Sequence, residues 1–362
     1  MPTFNEQEGR ASGFTSAKIV PTTYLNAAKE VTRREFLEFT LQASAAAIVS
    51  SLIDDKVAPR DSRASVSELA FNSVVQPLRV QSINEGRIDV PSVQAVQHVR
   101  RMRGGAQAHL FRCSDENFYV VKFKNNPQHL KVLANEMLAT LLARLAGLPV
   151  PNVAVVNVNE WLIKATPDLK IVLQNHAVPC ESGLQFGARY VISPRPWDGQ
   201  VFDHLPVPML RRVRNLETFA GILAFDKWTS NGDTRQATFW RRLRQKKYTA
   251  TFIDQGYCFN AEQWTFPDFP FRGLYPQNGV YSHISKWESF EPWLSCIEEM
   301  PEESILLAAE TVPPDWYHSE WHSMEKLVQT LVARRGKVRD LITEFRISKR
   351  EPFPKWTTGS KV

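Results

Sequence analysis

The stretch NEMLATLLARLAGLPVPNVAVV, residues 135–156, joins a helix to a strand. Its apolar residues recur every three or four positions, which predicts a helix, and Gly147 and Pro149 end that pattern. The valine-rich run that follows predicts a strand. Glu136 places a carboxylate inside the otherwise apolar helix, so a cationic partner is expected elsewhere in the chain.

That partner is offered by the segment before the helix. HLFRCSD (109–115) and NFYVVKF (117–123) are two apolar, aromatic-rich runs around a polar turn, which predicts a hairpin. Lys122 lies inside the second run, and a lysine buried there requires a carboxylate such as Glu136. A lysine that faces water from an edge strand is the alternative.

A glycine turn precedes the hairpin. In RGGAQAHLF (103–111), Gly104 and Gly105 leave room for backbone amides to approach a polyphosphate. An ordinary hairpin turn is the alternative. A strand lysine paired with a helix glutamate below such a turn is the arrangement that kinase-like folds use to hold the α- and β-phosphates.

Two aspartates compete for a catalytic position in FDKWTSNGDTRQATFW, residues 225–240. Asp226 is followed five residues later by Asn231, which is the generic kinase spacing, whereas the same offset from Asp233 falls on Thr238.

Further along, TFIDQG (251–256) ends a predicted strand with Asp254 before a glycine. A carboxylate there suits a Mg²⁺ ligand, although a plain turn has the same sequence. The order of glycine turn, lysine, glutamate, catalytic loop and metal aspartate is the order found in kinases.

The remaining patterns complete a fold prediction. YVIS (190–193) predicts a strand, ATFWRR and YTATFID (237–242 and 248–254) predict a hairpin, and residues 323–345 carry one helical apolar stripe. Strands with one long helix, followed mostly by helices, predict an α+β, bilobal architecture.

Three of these blocks resemble the HipA-like kinases. They are GGAQAHLF (104–111), NEMLATLLARLAGLPVPNVAVV (135–156) and FDKWTSNGDTRQATFW (225–240), and the resemblance extends over residues 93–348. It implies a bilobal protein-kinase-like fold and an ATP- and Mg²⁺-dependent phosphotransferase, in the first instance a Ser/Thr kinase acting on a protein. Four segments are predicted. Residues 1–92 form an appended or poorly ordered stretch, residues 93–194 a β-rich N-lobe, residues 195–348 a mostly helical C-lobe and residues 349–362 a tail.

Aligned with the family's catalytic segment, Asp233 matches the catalytic aspartate, and Asp226 falls where the family carries asparagine. The resemblance therefore implies that Asp233 is the base. It also implies that Asp226→Asn reduces phosphotransfer much less than Asp233→Asn does. Two positions depart from the family. Arg235 replaces a histidine and is expected to neutralise a transferring phosphoryl group. Thr238 replaces the metal-binding asparagine, and Gln236 is the alternative ligand if Thr238 does not serve.

The resemblance also implies roles for the other candidate residues. Lys122 would hold the phosphates, Glu136 would orient Lys122, and Asp254 would bind Mg²⁺ together with Thr238. The nucleotide's phosphates would lie against the glycine turn, formed by Gly104, Gly105, Ala106 and Gln107. Thr238 favours a nucleotide-binding pseudokinase that acts through protein contacts as the alternative. A small-molecule or lipid-headgroup kinase is the second alternative.

The composition limits the possible ligands and cellular location of the protein. The 362 residues carry a formal net charge of +6, a mild excess that indicates a solvated surface rather than nucleic acid as a direct ligand. Four cysteines without a CxxC pair favour a reducing compartment. No apolar run reaches the roughly 20 residues of a membrane span. Residues 32–37, TRREFL, resemble a twin-arginine export signal, but Glu38 and Gln42 interrupt the apolar region that should follow. The prediction is a cytoplasmic protein.

Overall fold

The computed structural model describes residues 88–195 and 198–356, which belong to one compact unit. Apart from residues 88–92, the predicted appended segment lies outside the described residues, and so does the twin-arginine-like stretch at 32–37. The described fold is α+β, with most strands before residue 203 and most helices after residue 217. None of the helices in the described ranges has the length and apolar character needed to cross a bilayer.

A closed five-stranded barrel forms the first part of the fold, with strand order β1-β2-β3-β7-β4. Its neighbours pair antiparallel except β1 and β4, which run parallel. The barrel strands are β1 (Ser92–Arg101), β2 (His109–Cys113), β3 (Phe118–Lys122), β4 (Val153–Val158) and β7 (Gly183–Arg189). The predicted hairpin is confirmed as β2 and β3, and Phe111 and Val121 are fully buried in the core of this part.

Helix α1 (Val132–Leu145) is the helix predicted from the opening stretch. All but its last two residues are buried, which explains why apolar residues occur around its whole circumference. It ends before Gly147, whose φ of +76° suits glycine, and Phe252 donates its backbone N–H to the carbonyl of Pro149 at 2.8 Å.

Two smaller sheets accompany the barrel. One has strand order β10-β9-β8, and the other pairs β5 with β6. Their bounds are β5 (Lys170–Val172), β6 (Ala177–Pro179), β8 (Gly199–Phe202), β9 (Gln236–Arg242) and β10 (Thr249–Ile253). The predicted hairpin of the second half is confirmed as β9 and β10, and β8 adds a third strand that the sequence pattern did not predict.

Helix α3 (Thr218–Thr229) is buried along its whole length and is the centre of the helical part. Its Trp228 ring nitrogen donates to the carbonyl of Leu331 at 2.8 Å, which ties α3 to α6. The other helices lie nearer the surface. They are α2 (Glu160–Ala165), α4 (Trp293–Glu298), α5 (Glu302–Glu310), α6 (Trp321–Arg334) and α7 (Val338–Arg346).

Two sequence predictions were wrong in detail. Residues 190–193 form no strand, because β7 ends at Arg189 and the chain turns ahead of Pro194. The stripe over residues 323–345 is two helices, α6 and α7, separated by a 3₁₀ turn at Arg335–Lys337. Gly336 lies in that turn, where glycine's low helix propensity favours a break. Both helices nevertheless bury apolar residues of the predicted stripe.

Candidate functional site

Lys122, Glu136 and Asp254 meet in one buried cluster. The Nζ atom of Lys122 lies 2.5 Å from Oε1 of Glu136 and 2.7 Å from Oδ1 of Asp254. Three elements supply them, since Lys122 ends β3, Glu136 lies in α1 and Asp254 directly follows β10. With all three groups ionised, two carboxylates share one ammonium, and the cluster carries one net negative charge.

The electrostatics of the cluster keep its cation charged. Burial alone would lower the pKa of Lys122, but the carboxylates of Asp254 and Glu136 outweigh burial and raise it. Burial would likewise raise the pKa of Asp254, but the Lys122 ammonium outweighs burial and lowers it. A fixed positive charge in a partly dry site is suited to binding phosphate oxygens.

Helix α1 also fixes the backbone that follows Asp254. Oε1 of Glu136 accepts the Gly256 N–H at 2.9 Å, and a side chain at Gly256 would collide with Val132 at 2.7 Å. The amide nitrogen of Asn135 donates to three carbonyl oxygens of the same segment, at 2.9 to 3.0 Å. A side chain at position 256, two residues after Asp254, would therefore force Val132 to shift, and Asn135 is a positioning residue that the sequence interpretation missed, although it directly precedes Glu136.

Asp226 is occupied by structural partners. Its Oδ1 accepts from Arg235 Nη2 at 2.5 Å and from Asn231 at 3.0 Å, and its Oδ2 accepts from Arg235 Nε at 2.9 Å. The side chains of Asp226 and Arg235 are both fully buried. Asp226 therefore has no free carboxylate oxygen with which to meet an acceptor.

The same contacts change the expectation for Arg235. Its Nη1 donates to the carbonyls of Ile253 at 2.9 Å and Asp254 at 3.3 Å, while its other donors hold Asp226. A guanidinium committed to these inner partners is not exposed to a phosphoryl group in the cleft. The correction is that Arg235 holds the backbone at Asp254 in place, because its hydrogen bonds join that backbone to the buried carboxylate of Asp226.

Asp233, in contrast, is partly exposed. Its Oδ1 accepts the N–H of Thr234 at 2.7 Å, and no hydrogen bond to its Oδ2 occurs within the described residues. The preceding residue, Gly232, donates its N–H to the carbonyl of Tyr257 at 2.9 Å. Asp233 is thereby linked through the backbone to the segment that follows Asp254, and it leaves one carboxylate oxygen available.

Strand β9 presents two further oxygen-bearing side chains. The amide nitrogen of Gln236 lies 2.6 Å from Oδ2 of Asp254, and Thr238 lies on the same face of β9, two cross-strand pairs further along. The hydroxyl of Thr238 is buried and has no hydrogen-bond partner among the described residues.

The side-chain oxygens of these residues are suitable ligands for a hard cation. Mg²⁺ prefers oxygen ligands and is commonly held by one or two carboxylates together with substrate phosphates. Asp254 and Gln236 supply such oxygens, once the amide of Gln236 turns its oxygen inward, and Thr238 carries a further hydroxyl two residues along β9. No cluster of three or more His, Cys, Asp or Glu side chains that could hold a metal occurs in the described part of the chain.

The glycine turn provides unpaired backbone donors. Gly104 adopts a φ of +115°, and within residues 88–195 and 198–356 the amides of Gly104, Gly105 and Ala106 have no hydrogen-bond acceptor. Asn126 donates to the carbonyl of Ala106 at 2.8 Å, which fixes the turn against the loop between β3 and α1. Consecutive free amides form an anion-binding surface.

Gln107 has a different environment from the rest of the turn. Its side-chain amide exchanges two hydrogen bonds of 2.8 Å with the backbone of Val172 in β5. Arg101 also donates to its Oε1 at 2.5 Å. Gln107 therefore anchors the turn to β5, and the free donors for a phosphate are the three preceding amides.

Residues 95–264 match the model of a family described as HipA-like kinase, which confirms the resemblance over that range. No curated protein sequence matches the chain.

Several solved structures are similar at low identity. A Golgi casein kinase with Mn/ADP bound shares 13% identity at a TM-score of 0.42, with 74% of this chain and 75% of that chain covered. The Helicobacter pylori proinflammatory kinase CtkA shares 13% identity at 0.46, with 72% and 100% covered. HipA of Shewanella oneidensis MR-1, in its complex with HipB and operator DNA, shares 12% identity at 0.39, with 70% and 69% covered.

Proposed function

We propose that this chain, whose residues 95–264 match the HipA-like kinase family, is an ATP-dependent phosphotransferase that phosphorylates a serine or threonine hydroxyl of a protein. The observation that carries the proposal is the bridge from Lys122 to both Glu136 and Asp254. That bridge joins a strand lysine, a helix glutamate and a strand-end aspartate, which are the parts a kinase uses to place its nucleotide. In this proposal the barrel with α1 is the N-lobe, and the helical part is the C-lobe.

Nucleotide binding is assigned to the glycine turn and the cluster. The free amides of Gly104, Gly105 and Ala106 donate hydrogen bonds to phosphate oxygens, and Lys122 neutralises the α- and β-phosphates while Glu136 holds it in place. Asp254, with Gln236 or Thr238, would hold Mg²⁺, which when bound offsets the charge of the β- and γ-phosphates. Asn135 and Arg235 maintain the backbone geometry of this segment.

Asp233 is assigned to the acceptor. Its free Oδ2 accepts the proton of the incoming hydroxyl as the hydroxyl oxygen forms its bond to the γ-phosphorus. The bond from that phosphorus to the β–γ bridging oxygen breaks at the same time, and ADP leaves with that oxygen. Such catalysis consists of positioning and charge stabilisation, so fixed geometry at Asp233 matters more than unusual reactivity.

A nucleotide-binding pseudokinase is the second candidate. Thr238 favours it, because a threonine hydroxyl is a poorer Mg²⁺ ligand than the asparagine the family carries at that position. In such a protein, ATP would stabilise the fold and control contacts with a partner, with no phosphoryl transfer.

The deciding experiment uses the full chain. ATP affinity is measured with and without Mg²⁺ for wild type and Lys122→Met, followed by single-turnover transfer from radiolabelled ATP to a mixture of acceptor proteins. Mg²⁺-dependent binding that Lys122→Met abolishes, together with labelled acceptor, supports the kinase. Binding without any transfer supports the pseudokinase. Absence of ATP binding by the folded wild type overturns both candidates.

A further inference from the structure

A cavity of about 930 Å³ opens beside Asp233 on the side formed by the helical part. One wall is Gly232, Asp233 and Thr234, and the other is the irregular segment 267–278 together with Arg350. The nucleotide cluster of Lys122, Glu136 and Asp254 is not among the residues that line it. The cavity therefore lies where a group approaching Asp233 from outside the nucleotide site would be held.

The second wall is built onto the catalytic segment. Gly273 has a φ of +66° and packs so closely that an added Cβ would lie 2.3 Å from the Cβ of Asp226. Arg235 donates its backbone N–H to the carbonyl of Leu274 at 3.0 Å, and Lys227 donates its Nζ to the carbonyl of Arg272 at 2.5 Å. Because these contacts come from residues on both sides of Asp233, the cavity wall and Asp233 are held in one fixed arrangement.

Two arginines on this wall lack an acidic partner. No carboxylate lies within 4.0 Å of Arg272 or Arg350 among the described residues, whereas the neighbouring Asp268 is paired with Arg334 at 2.7 Å. Arg272 donates to the side-chain oxygen of Asn260 at 2.6 Å, and the guanidinium of Arg350 lies 4.9 Å from the ring centre of Phe271. The cavity thus carries two arginines without a carboxylate partner among the described residues, beside the carboxylate of Asp233.

Arg272 is also close to the catalytic loop. A Cβ added at Gly232 would lie 3.7 Å from its Nη1 atom, so the guanidinium adjoins the peptide that leads into Asp233. Arg272 is partly buried and has no carboxylate within 4.0 Å among the described residues, and this burial lowers the pKa of its guanidinium. A partly desolvated arginine gains most from an incoming anion, because a bidentate contact with a carboxylate is both strong and geometrically specific.

The cavity also offers apolar surface. The side chain of Phe269 is 53% exposed at its rim, and Phe271 forms part of its lining. An exposed aromatic beside two arginines suits a peptide that presents an apolar side chain and carboxylates on either side of its hydroxyl. The volume is at the upper end of the range for small-molecule sites, which leaves room for several residues.

We infer that this cavity is the acceptor site and that it selects serine or threonine hydroxyls flanked by acidic residues, with Arg272 and Arg350 binding the flanking carboxylates. The inference rests on the proposed phosphotransfer, for which it names the substrate class. Arg272 and Arg350 act as specificity residues here, and Asp233 remains the group that meets the hydroxyl.

The test compares serine peptides that differ only in their flanking residues, Glu in one and Gln in the other. Phosphotransfer is measured as kcat/KM, and binding of the same peptides to the Asp233→Asn protein is measured by fluorescence anisotropy. Arg350→Gln should reduce the preference for the Glu peptide about tenfold in both measurements, the effect of losing one charge-assisted hydrogen bond. Arg272→Gln should do the same.

Arg244→Gln is the matched control. Arg244 is an exposed residue in the turn between β9 and β10, and β9 extends away from the site for roughly 20 Å at about 3.3 Å per residue. The substitution removes the same charge and should leave the preference unchanged. Arg350→Gln is the variant less prone to disturb folding, because Arg350 is exposed. Arg272, in contrast, is hydrogen-bonded to the side chain of Asn260.

The outcomes separate this inference from the proposed function. Equal use of both peptides, or equal effects of Arg350→Gln and Arg244→Gln, overturns the acidic acceptor. If no peptide is phosphorylated at all, the proposed kinase fails. In that case, tighter binding of the Glu peptide to the Asp233→Asn protein, lost with Arg350→Gln, still supports the acidic site. Equal binding of the Glu and Gln peptides, with or without Arg350, overturns it. Competition by small anions such as phosphoserine without any binding of the Glu peptide overturns the peptide acceptor.

Discussion

Asp226 and Arg235 form an ion pair in which Oδ1 and Nη2 lie 2.5 Å apart and both side chains are completely excluded from solvent. This pair separates the two aspartates of the catalytic segment. Both carboxylate oxygens of Asp226 accept hydrogen bonds from internal partners. Asp233, seven residues later, has one oxygen without a hydrogen bond among the described residues. The resemblance favoured Asp233 from sequence register, and our proposal makes the same choice because Asp233 is the aspartate with an available oxygen.

Asp226→Asn should destabilise the protein by about 3–5 kcal/mol, because it leaves the buried guanidinium of Arg235 without a counter-charge. The resemblance implies a small effect of this substitution on phosphotransfer, whereas the prediction here concerns stability. The family pattern carries asparagine at the position of Asp226 and histidine at the position of Arg235, so the ion pair replaces two neutral side chains. The measurement is urea unfolding of the full-length variant.

Asp226→Asn combined with Arg235→His tests that coupling. The double variant should recover much of the lost stability, because a neutral pair replaces a buried unpaired cation. Additive losses in the two single variants and the double variant would contradict the proposed coupling. Asp233→Asn serves as the control for the same chemical change at a partly exposed carboxylate, and it should shift the unfolding midpoint little.

Asp233→Asn should slow single-turnover phosphotransfer by about 10²–10⁴-fold while leaving ATP affinity nearly unchanged. The reason is that Asp233 faces the acceptor cavity, whereas the nucleotide is assigned to Lys122 and the glycine turn. ATP affinity by calorimetry and transfer by rapid quench give the two numbers. A large loss of ATP affinity would place Asp233 in the nucleotide site instead.

The sequence predicted the central cluster because each member stands out locally. Lys122 lies in an apolar strand, Glu136 in an apolar helix and Asp254 at a strand end before glycine. The predicted meeting of the first two is present at 2.5 Å, and Asp254 lies 2.7 Å from Lys122.

Other features of the site have no local signal. The bonds of Arg235 to the backbone at Asp254 and of Lys227 to Arg272 join residues 19 and 45 positions apart. Such contacts depend on how elements pack, so periodicity and turn chemistry do not reveal them. The mistaken strand at 190–193 has the opposite cause. Its residues favour a strand, but the barrel pairing already ends at Arg189.

Thr238→Val should separate stability from metal binding. The hydroxyl of Thr238 is buried without a partner, so replacing it with a methyl group of similar shape should stabilise the metal-free protein by up to about 1 kcal/mol. If that hydroxyl is a Mg²⁺ ligand, the same variant should bind ATP more weakly in Mg²⁺ but equally without it. Thr238→Asn should instead raise activity or tighten Mg²⁺ dependence.

Gln236→Leu is the comparison for Thr238. Gln236 contacts Asp254 directly, so if Gln236 is the recruited ligand, its loss should weaken Mg²⁺-dependent ATP binding while Thr238→Val leaves it unchanged. Unchanged Mg²⁺ dependence in both variants would remove β9 from the metal site and leave Asp254 as the assigned side-chain ligand.

Lys227→Met should stabilise the protein most below pH 7. Burial lowers the pKa of Lys227 to about 7, against a value near 10.4 for the unfolded chain, and nearby Asp226 only partly opposes that shift. Between these two values the unfolded state binds more protons than the folded state, so wild-type stability rises with pH across the window. Below about pH 7 both states carry the charge, and the destabilisation by Lys227 is complete.

The free energy that Lys227→Met gains should therefore be constant below about pH 7, on the order of a few kcal/mol before the lost hydrogen bond to Arg272 is subtracted, and should shrink toward pH 10. Urea unfolding at pH 6, 8 and 10 measures it, with each variant compared with wild type at the same pH so that other titrating groups cancel. Lys326→Met is the control, because Lys326 is exposed on α6 and its replacement should give no pH-dependent difference. A gain that stays flat from pH 6 to pH 10 would show that Lys227 is protonated in the folded protein throughout this range, with its ammonium held by the Arg272 carbonyl and by the Phe345 ring 5.4 Å away.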